Sequence, residues 1–437
     1  MRYPCRAVTT LPLILLELNE LNFEFVEHYA AKGHLPAFAR LLAEHGYART
    51  QSEAVYENIE PWIQWVTVHT GKTYAEHGVF RLGDGPEAGV PQIWEQLETR
   101  GLRVGAFSPM NAGNALRNAA FFVPDPWTRT RVEAPALMRE AFGAICQAVG
   151  DNAEGKITAG SLARLLLGLA MYSRKTRWPR YLSDGLAGLR KHWPRAVFLD
   201  RFLGDCFLRA WKQTTPHFAS VFLNGAAHLQ HHYLFNSAAY SGPHRNPHWY
   251  LAAGEDPLLA ICRLYDEIVG DLLALSPTPR LMIATGLHQD PVDVPVFYWR
   301  LREHAGFLRR LGCPFSTVEP RMSRDFLVTC ASPDDARATQ ARLASGRASD
   351  GEPLFEVDNR GTSLFVTLSY PNEITAGMTS TFGGASVDDL SKEVVFVALK
   401  NAHHNGIGYL LDTGAKASPA AEPIALASIC DRVAGAF

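Results

Sequence analysis

Apolar runs alternate with helix-period segments through the first hundred residues. Leu13 to Leu18 is a short, almost unbroken apolar run, the pattern of a strand buried on both faces. Phe23 to Ala31 and Ala37 to His45 repeat their apolar positions at helical spacing, with Gly46 as the stop. Trp94 to Arg100, closed by Gly101, predicts a further short helix, and Arg103 to Phe107 the strand after it. This β-α-β rhythm predicts an α/β fold with a central, mostly parallel sheet flanked by helices, whose first part covers residues 1–129.

The pattern changes over 130–215, where long amphipathic helices rich in Arg and Lys predict a helical insertion with a solvated basic face. Within it, Leu165 to Tyr172 is too short to span a bilayer and is flanked by Arg164 and Arg174, so it reads as a core or amphipathic helix. Residues 216–299 return to the core pattern, with a strand at His217 to Leu223, a helix at Pro257 to Leu275 and a strand at Arg280 to Thr285. Residues 300–385 predict a small α+β cap. Ser332 is placed to cap a helix with Asp334 and Asp335 in its first turn, and Asp358-Asn359-Arg360-Gly361 is placed to join two strands. Residues 386–437 bring the chain back to the core.

Composition narrows the function classes. A chain of 437 residues, 47% hydrophobic, has enough apolar material for a large core. Forty-two basic residues against 44 acidic ones provide no global field to attract nucleic acid or an anionic membrane, so partners follow from local sites. No apolar stretch approaches the roughly 20 residues of a membrane span. Leu11 to Leu18, interrupted by Pro12 and Glu17, is too short for a signal-peptide core. The seven cysteines (Cys5, Cys146, Cys206, Cys262, Cys313, Cys330 and Cys430) are scattered without a C-x-x-C pair, so no zinc ribbon or disulfide framework is expected, and a reducing cytoplasm is the simplest compartment.

Four segments, in order, carry a resemblance. They are Leu35-Pro36-Ala37-Phe38 with Leu41 and Gly46; Trp65-Val66-Thr67-Val68-His69-Thr70-Gly71 followed by His77-Gly78-Val79; Tyr265 to Gly270 ahead of the strand at 280; and His404 with Gly408 and Gly414. Together they resemble the type I phosphodiesterase/nucleotide pyrophosphatase branch of the alkaline-phosphatase superfamily. The resemblance implies two divalent metals activating a Thr or Ser nucleophile in an in-line displacement at phosphorus. Several family positions are replaced. Asn19 stands where an Asp ligand is expected, Ala227 where a second is expected, and Thr285-Gly286 where an Asp-His pair is expected. Aligning the nucleophile gives Pro61 or Ile59, neither a Ser nor a Thr.

In Glu17-Leu18-Asn19-Glu20, Glu17 and Asn19 are candidate metal ligands, with Glu20 as the other carboxylate, or one of these caps the next helix. Glu57 and Glu60 are candidate general bases, or acids decorating the helix that opens at Pro61. His228 and His231 sit i and i+3 in a run of three histidines; His231 matches a family ligand, and His228 is a further ligand or an acid–base group. His288 and Asp290 are candidate displaced ligands, or a turn ahead of Pro291, and His404 is the best-matched ligand position. The expectation is a hydrolase or transferase of a phosphoester or related ester that uses a divalent metal, zinc or manganese, as one ion rather than two. The alternatives are an inactive member binding a phosphorylated or sugar ligand, and a metal-free group-transfer enzyme of polysaccharide or natural-product assembly. The expected partner is a small phosphoester, nucleotide-sugar or sugar-like substrate, and a homo-oligomer stays open.

Overall fold

The structure is a computed structural model that describes residues 11–150, 158–321 and 324–437, with side chains throughout except at 148–150. It divides into two compact units. The first comprises the described residues up to 291 together with 402–437, and the second comprises 292–401.

In chain order the first unit contains β1 (Leu13–Leu18), α1 (Phe23–Ala31), α2 (Pro36–His45), β2 (Ala48–Gln51), α3 (Pro61–Thr70), α4 (Tyr74–His77), α5 (Ile93–Thr99), β3 (Val104–Phe107) and β4 (Phe121–Val123). Four helices in succession follow: α6 (Ala136–Gly150), α7 (Ala159–Tyr172), α8 (Trp178–Gly188) and α9 (Trp193–Thr214). Next come β5 (Phe218–Leu223), α10 (Gly225–Tyr233), α11 (Pro257–Leu273) and β6 (Arg280–Ala284). The chain leaves this unit along β7 (His288–Leu301).

The second unit contains α12 (His304–Arg310), β8 (Thr317–Pro320), β9 (Asp325–Thr329), α13 (Pro333–Ala344), β10 (Gly346–Ala348), β11 (Phe355–Asn359), β12 (Ser363–Leu368), β13 (Ser380–Phe382) and β14 (Ala385–Val387). The chain returns along β15 (Val394–Asn405) to β16 (Ile407–Asp412), β17 (Ile424–Ala425) and α14 (Ser428–Ala434).

The main sheet has eight strands in the order β17-β2-β16-β6-β1-β5-β3-β4. β1 lies at its centre, parallel to β5 and β6, and all six of its residues are buried, which accounts for its unbroken apolar run. β3 and β4 continue the parallel register on one side, whereas β16 runs antiparallel to both β6 and β2. Trp65, Trp94, Phe122, Phe218, Phe222 and Met282 belong to one hydrophobic cluster that extends to Ile429 and Val433 of α14. The expected strand and helix positions are met within a residue or two. β7 is the exception, since the segment expected to be a loop after β6 enters a 14-residue strand at His288.

The second unit pairs β11-β12-β9-β8 in an antiparallel sheet. Ser332 caps α13 by accepting a hydrogen bond from the Asp335 backbone N–H at 3.1 Å. The turn expected at 358–361 starts later, because Asp358 and Asn359 still pair within β11 and 360–362 join it to β12. Phe307 meets Phe382, and Phe326 meets Phe355, edge-on in its core. Cys146, Cys206, Cys262, Cys313, Cys330 and Cys430 are free thiols, and Cys5 lies outside the described residues.

Candidate metal centre

Topology gathers the polar residues at one edge of the main sheet. The registers Leu18↔Leu223 and Glu17↔Ala284 align the carboxyl ends of β1, β5 and β6, the edge where open α/β sheets place ligands. β16 runs the opposite way, so its first residue, Ile407, and the β15 residues before it reach the same edge. β2 is antiparallel to β16 with Gln51 opposite Ile407, so the chain leaving β2 toward α3 starts there too.

At this edge Glu20, His231 and His404 converge. Their ligand-capable atoms form a near-equilateral triangle: Glu20 Oε2 is 3.3 Å from His231 Nε2 and 3.2 Å from His404 Nε2, and the two imidazole nitrogens are 3.2 Å apart. Glu20 is 2% exposed, while the two histidine side chains are half-buried. Glu20 has φ 60°, a left-handed conformation that costs a non-glycine residue on the order of 1–2 kcal/mol. It is held there by its backbone N–H, which donates to Thr285 O at 3.0 Å, and by Gln230 Nε2, which donates to its carbonyl at 2.7 Å.

Hydrogen bonds hold Glu20 and His231 from outside the triad, and a carboxylate lies behind His404. Asn19 Nδ2 donates to Glu20 Oε1 at 3.0 Å, and Gln289 Nε2 donates to Glu20 Oε2 and to Ala227 O. His231 Nδ1 lies 3.3 Å from Ala402 O; a carbonyl only accepts, so Nδ1 carries a proton and Nε2 is the nitrogen that faces Glu20 and His404. His404 Nδ1 lies 3.7 Å from Glu60 Oε2. Burial by itself would raise the Glu20 carboxyl, but the charge of His404 and hydrogen bonds from both histidines outweigh it and hold Glu20 well below the usual carboxylate range.

The other residues singled out from sequence lie in different surroundings. Glu17 is completely buried against His69, with both carboxylate oxygens 3.3 Å from His69 Nε2. The Asn19 amide is saturated: Oδ1 accepts from Trp65 Nε1 at 2.6 Å, and Nδ2 also donates to Asn224 Oδ1 at 2.8 Å. Glu57 is exposed. Glu60 is the N-cap residue of α3 but makes no side-chain cap bond there, and its carboxylate faces His404 instead. α10 is helical as expected, yet His231 meets His404 while His228 is exposed and stacks edge-on against His232, with ring centroids 5.0 Å apart. The helical turn thus does not bring His228 to the triad.

His288 and Asp290 form a cluster of their own. His288 Nε2 is 3.2 Å from Asp290 Oδ1, and Asn405 Nδ2 donates to Asp290 Oδ2 at 2.6 Å. The hydrogen bond from His288, with the Asn405 amide adding to it, depresses the Asp290 carboxyl against the opposing effect of burial. At the position expected to hold an Asp-His pair, Gly286 has φ 72°, and a Cβ there would stand 3.2 Å from the Trp65 ring, so the indole occupies the space a longer side chain would need. Gln230 and Gln289 were not singled out from sequence. Their role is to tie the turn after β1 to segments far away in the chain, and such long-range pairing is not visible in the sequence.

No family model and no curated protein matches this chain. Among solved structures, it is similar to phosphonoacetate hydrolase from Sinorhizobium meliloti 1021 in complex with phosphonoacetate, at 12% identity and TM-score 0.44 over 98% of this chain and 96% of that one. It is also similar to human ectonucleotide pyrophosphatase/phosphodiesterase 5, at 9% identity and TM-score 0.41 over 97% and 94%. Likeness this distant assigns neither substrate nor reaction.

Proposed function

We propose that Glu20, His231 and His404 hold one divalent cation, and that the chain hydrolyses or transfers a phosphoester at this site. The observation that carries the reading is the triangle of ligand atoms with sides of 3.2–3.3 Å. Ligands about 2.0–2.1 Å from a tetrahedral ion stand roughly 3.3–3.4 Å apart, so the triangle already has the spacing of three tetrahedral ligands. The donor set of two imidazoles and a carboxylate suits zinc, and also manganese. Carbonyl or carboxylate partners on both outer imidazole nitrogens are the support that metal-bound histidines require.

A bound cation would supply Lewis-acid polarisation of a phosphoryl oxygen and a lowered pKa for a coordinated water. The chain's own residues do the rest. Asn19 and Gln289 orient Glu20 and leave Oε2 on the histidine side. Glu60, half-buried and beside His404, is placed to take a proton from an attacking water or alcohol, a role open to a carboxylate not tied down as a helix cap. Ile59 and Pro61 flank it, so the nucleophile is water or a second substrate rather than a Ser or Thr of α3. The choice of a phosphoester substrate follows the resemblance of the sequence segments to type I phosphodiesterases.

The test is metal content by mass spectrometry, together with hydrolysis of a bis-aryl phosphate, for wild type and His231→Ala. The expected result is about one bound zinc or manganese per chain and turnover, both lost in the variant. A metal-free wild type with no turnover after zinc or manganese is added back overturns the proposal. Turnover that survives exhaustive chelation overturns the metal and leaves the acid–base groups.

A further inference from the structure

Helices α7 and α8 turn their amphipathic pattern inside out. α7 buries Ser161, Gly168 and Tyr172, and exposes Leu162, Leu166, Leu167 and Met171 by 45–55%. The inward placement of Gly168 is a packing requirement, since a Cβ there would stand 2.6 Å from Ala141 Cβ of α6. α8 buries Tyr181 and Gly188 while Trp178, Leu182, Leu186 and Leu189 are 48–78% exposed. A surface helix ordinarily points its large apolar side chains inward. Here two successive helices point them out, and runs of exposed leucine of this kind mark contact surfaces.

Charge indicates what covers this face. Residues 158–195 contain eight Arg or Lys and a single acid, Asp184, in a chain whose net charge is −2. Several of these cations are engaged inward: Arg174 and Arg177 with Asp205 and Asp271, Arg180 with Glu267, and Lys191 with Glu255. Lys175 and Arg190 are exposed and make no ion pair among the described residues, and they bracket α8 beside Trp178 and Leu189. Leucines and an interfacial tryptophan flanked by basic residues are the pattern of helices that lie in a bilayer headgroup region. A second copy of the chain would bring the same positive charge against itself.

We propose that the outer face of α7 and α8 docks on an anionic lipid surface, presenting the chain to membrane-associated material without crossing the bilayer. This rests on residues remote in sequence from the metal centre and stands or falls independently of it. The test is co-sedimentation of the full chain with vesicles of phosphatidylcholine alone and of phosphatidylcholine mixed with phosphatidylglycerol, in parallel with light scattering of the lipid-free protein. Wild type should pellet with the anionic vesicles and not with the neutral ones, and release as salt is raised. Leu182→Glu with Leu186→Glu, and separately Lys175→Glu with Arg190→Glu, should each lower the partition coefficient at least about tenfold. All four positions are exposed, so circular dichroism should show both variants folded. Wild type remaining in the supernatant with anionic vesicles overturns the proposal, as does vesicle binding unchanged in both variants. A dimer broken by Leu182→Glu with Leu186→Glu, without vesicle binding, likewise overturns it and assigns the face to a second copy.

Discussion

β1 and the turn after it place two glutamates three residues apart, and each has a carboxylate oxygen 3.3 Å from an imidazole nitrogen, in opposite settings. Glu17 and His69 are 0% and 1% exposed, and His69 sits against Trp94 and Trp65 with ring centroids 4.7 and 6.0 Å away. Nδ1 of His69 has no hydrogen-bond partner among the described residues. That pair is sealed in the core, with two ligand-capable groups and no route for substrate. Glu20 instead meets two half-buried histidines, each with a partner near its outer nitrogen. A Glu–His contact alone therefore does not define a site. A third ligand-capable group and partial exposure distinguish a candidate cation site from a buried polar pair.

The comparison can be broken most directly at Glu20. Glu20→Gln should abolish detectable bound metal and lower phosphodiester turnover by on the order of 10³-fold or more, while Glu17→Gln leaves metal content at the wild-type value. Metal loss in Glu17→Gln with retention in Glu20→Gln would invert the assignment. Next in size, Glu60→Gln should reduce kcat by roughly 10²–10⁴-fold with metal still bound, as expected on losing a general base. A normal kcat in that variant would reduce Glu60 to a support for His404. Glu17→Gln should appear instead in stability, with a loss of about 1–3 kcal/mol read from the denaturant midpoint, because it alters a buried hydrogen-bonded group.

A smaller effect comes from Asp200 on α9. Its Oδ2 accepts from Tyr265 Oη at 2.6 Å and from the Gly225 backbone N–H at 2.7 Å, tying α9 to the start of α10. Burial pushes its carboxyl up to about 6, against opposing hydrogen bonds. The folded state then holds this proton more tightly than the unfolded chain, so between about pH 4 and 6 the group's contribution to stability falls as pH rises, and above 6 it costs on the order of 1–3 kcal/mol. Asp200→Asn should flatten that part of the stability–pH curve. An unchanged slope would mean that Asp200 ionises normally in the fold.

His231 and His404 could be picked from sequence because they lie in segments whose spacing matches a family pattern. His228 could not be separated from His231 on local grounds, since an i, i+3 spacing gives both a similar direction on a helix. The turn of α10 against β15 decides which one meets His404. Strand alternation, if it continued past the end of β1, would put Glu20 on the face opposite Glu17 and Asn19. The left-handed turn at Glu20 breaks that alternation and swings its carboxylate to the histidines. At α7 the sequence pattern allowed a core helix or an amphipathic one, and the close approach of α6 at Gly168 decided which face turned inward.

The sequence by itself determined the strands, the helices and the α/β class, because apolar periodicity and capping are local and each segment carries its own signal. It also singled out two of the three proposed ligands, His231 and His404. Only the tertiary structure decided that Glu20 joins them and that Glu17 is sealed with His69. It alone showed that Trp65 occupies the space beside Gly286 and that Gln289 and Asn19 hold the carboxylate. Those outcomes depend on the registers of β1 with β5 and β6 and of β16 with β6, which bring together residues hundreds of positions apart and leave no mark on the segments themselves.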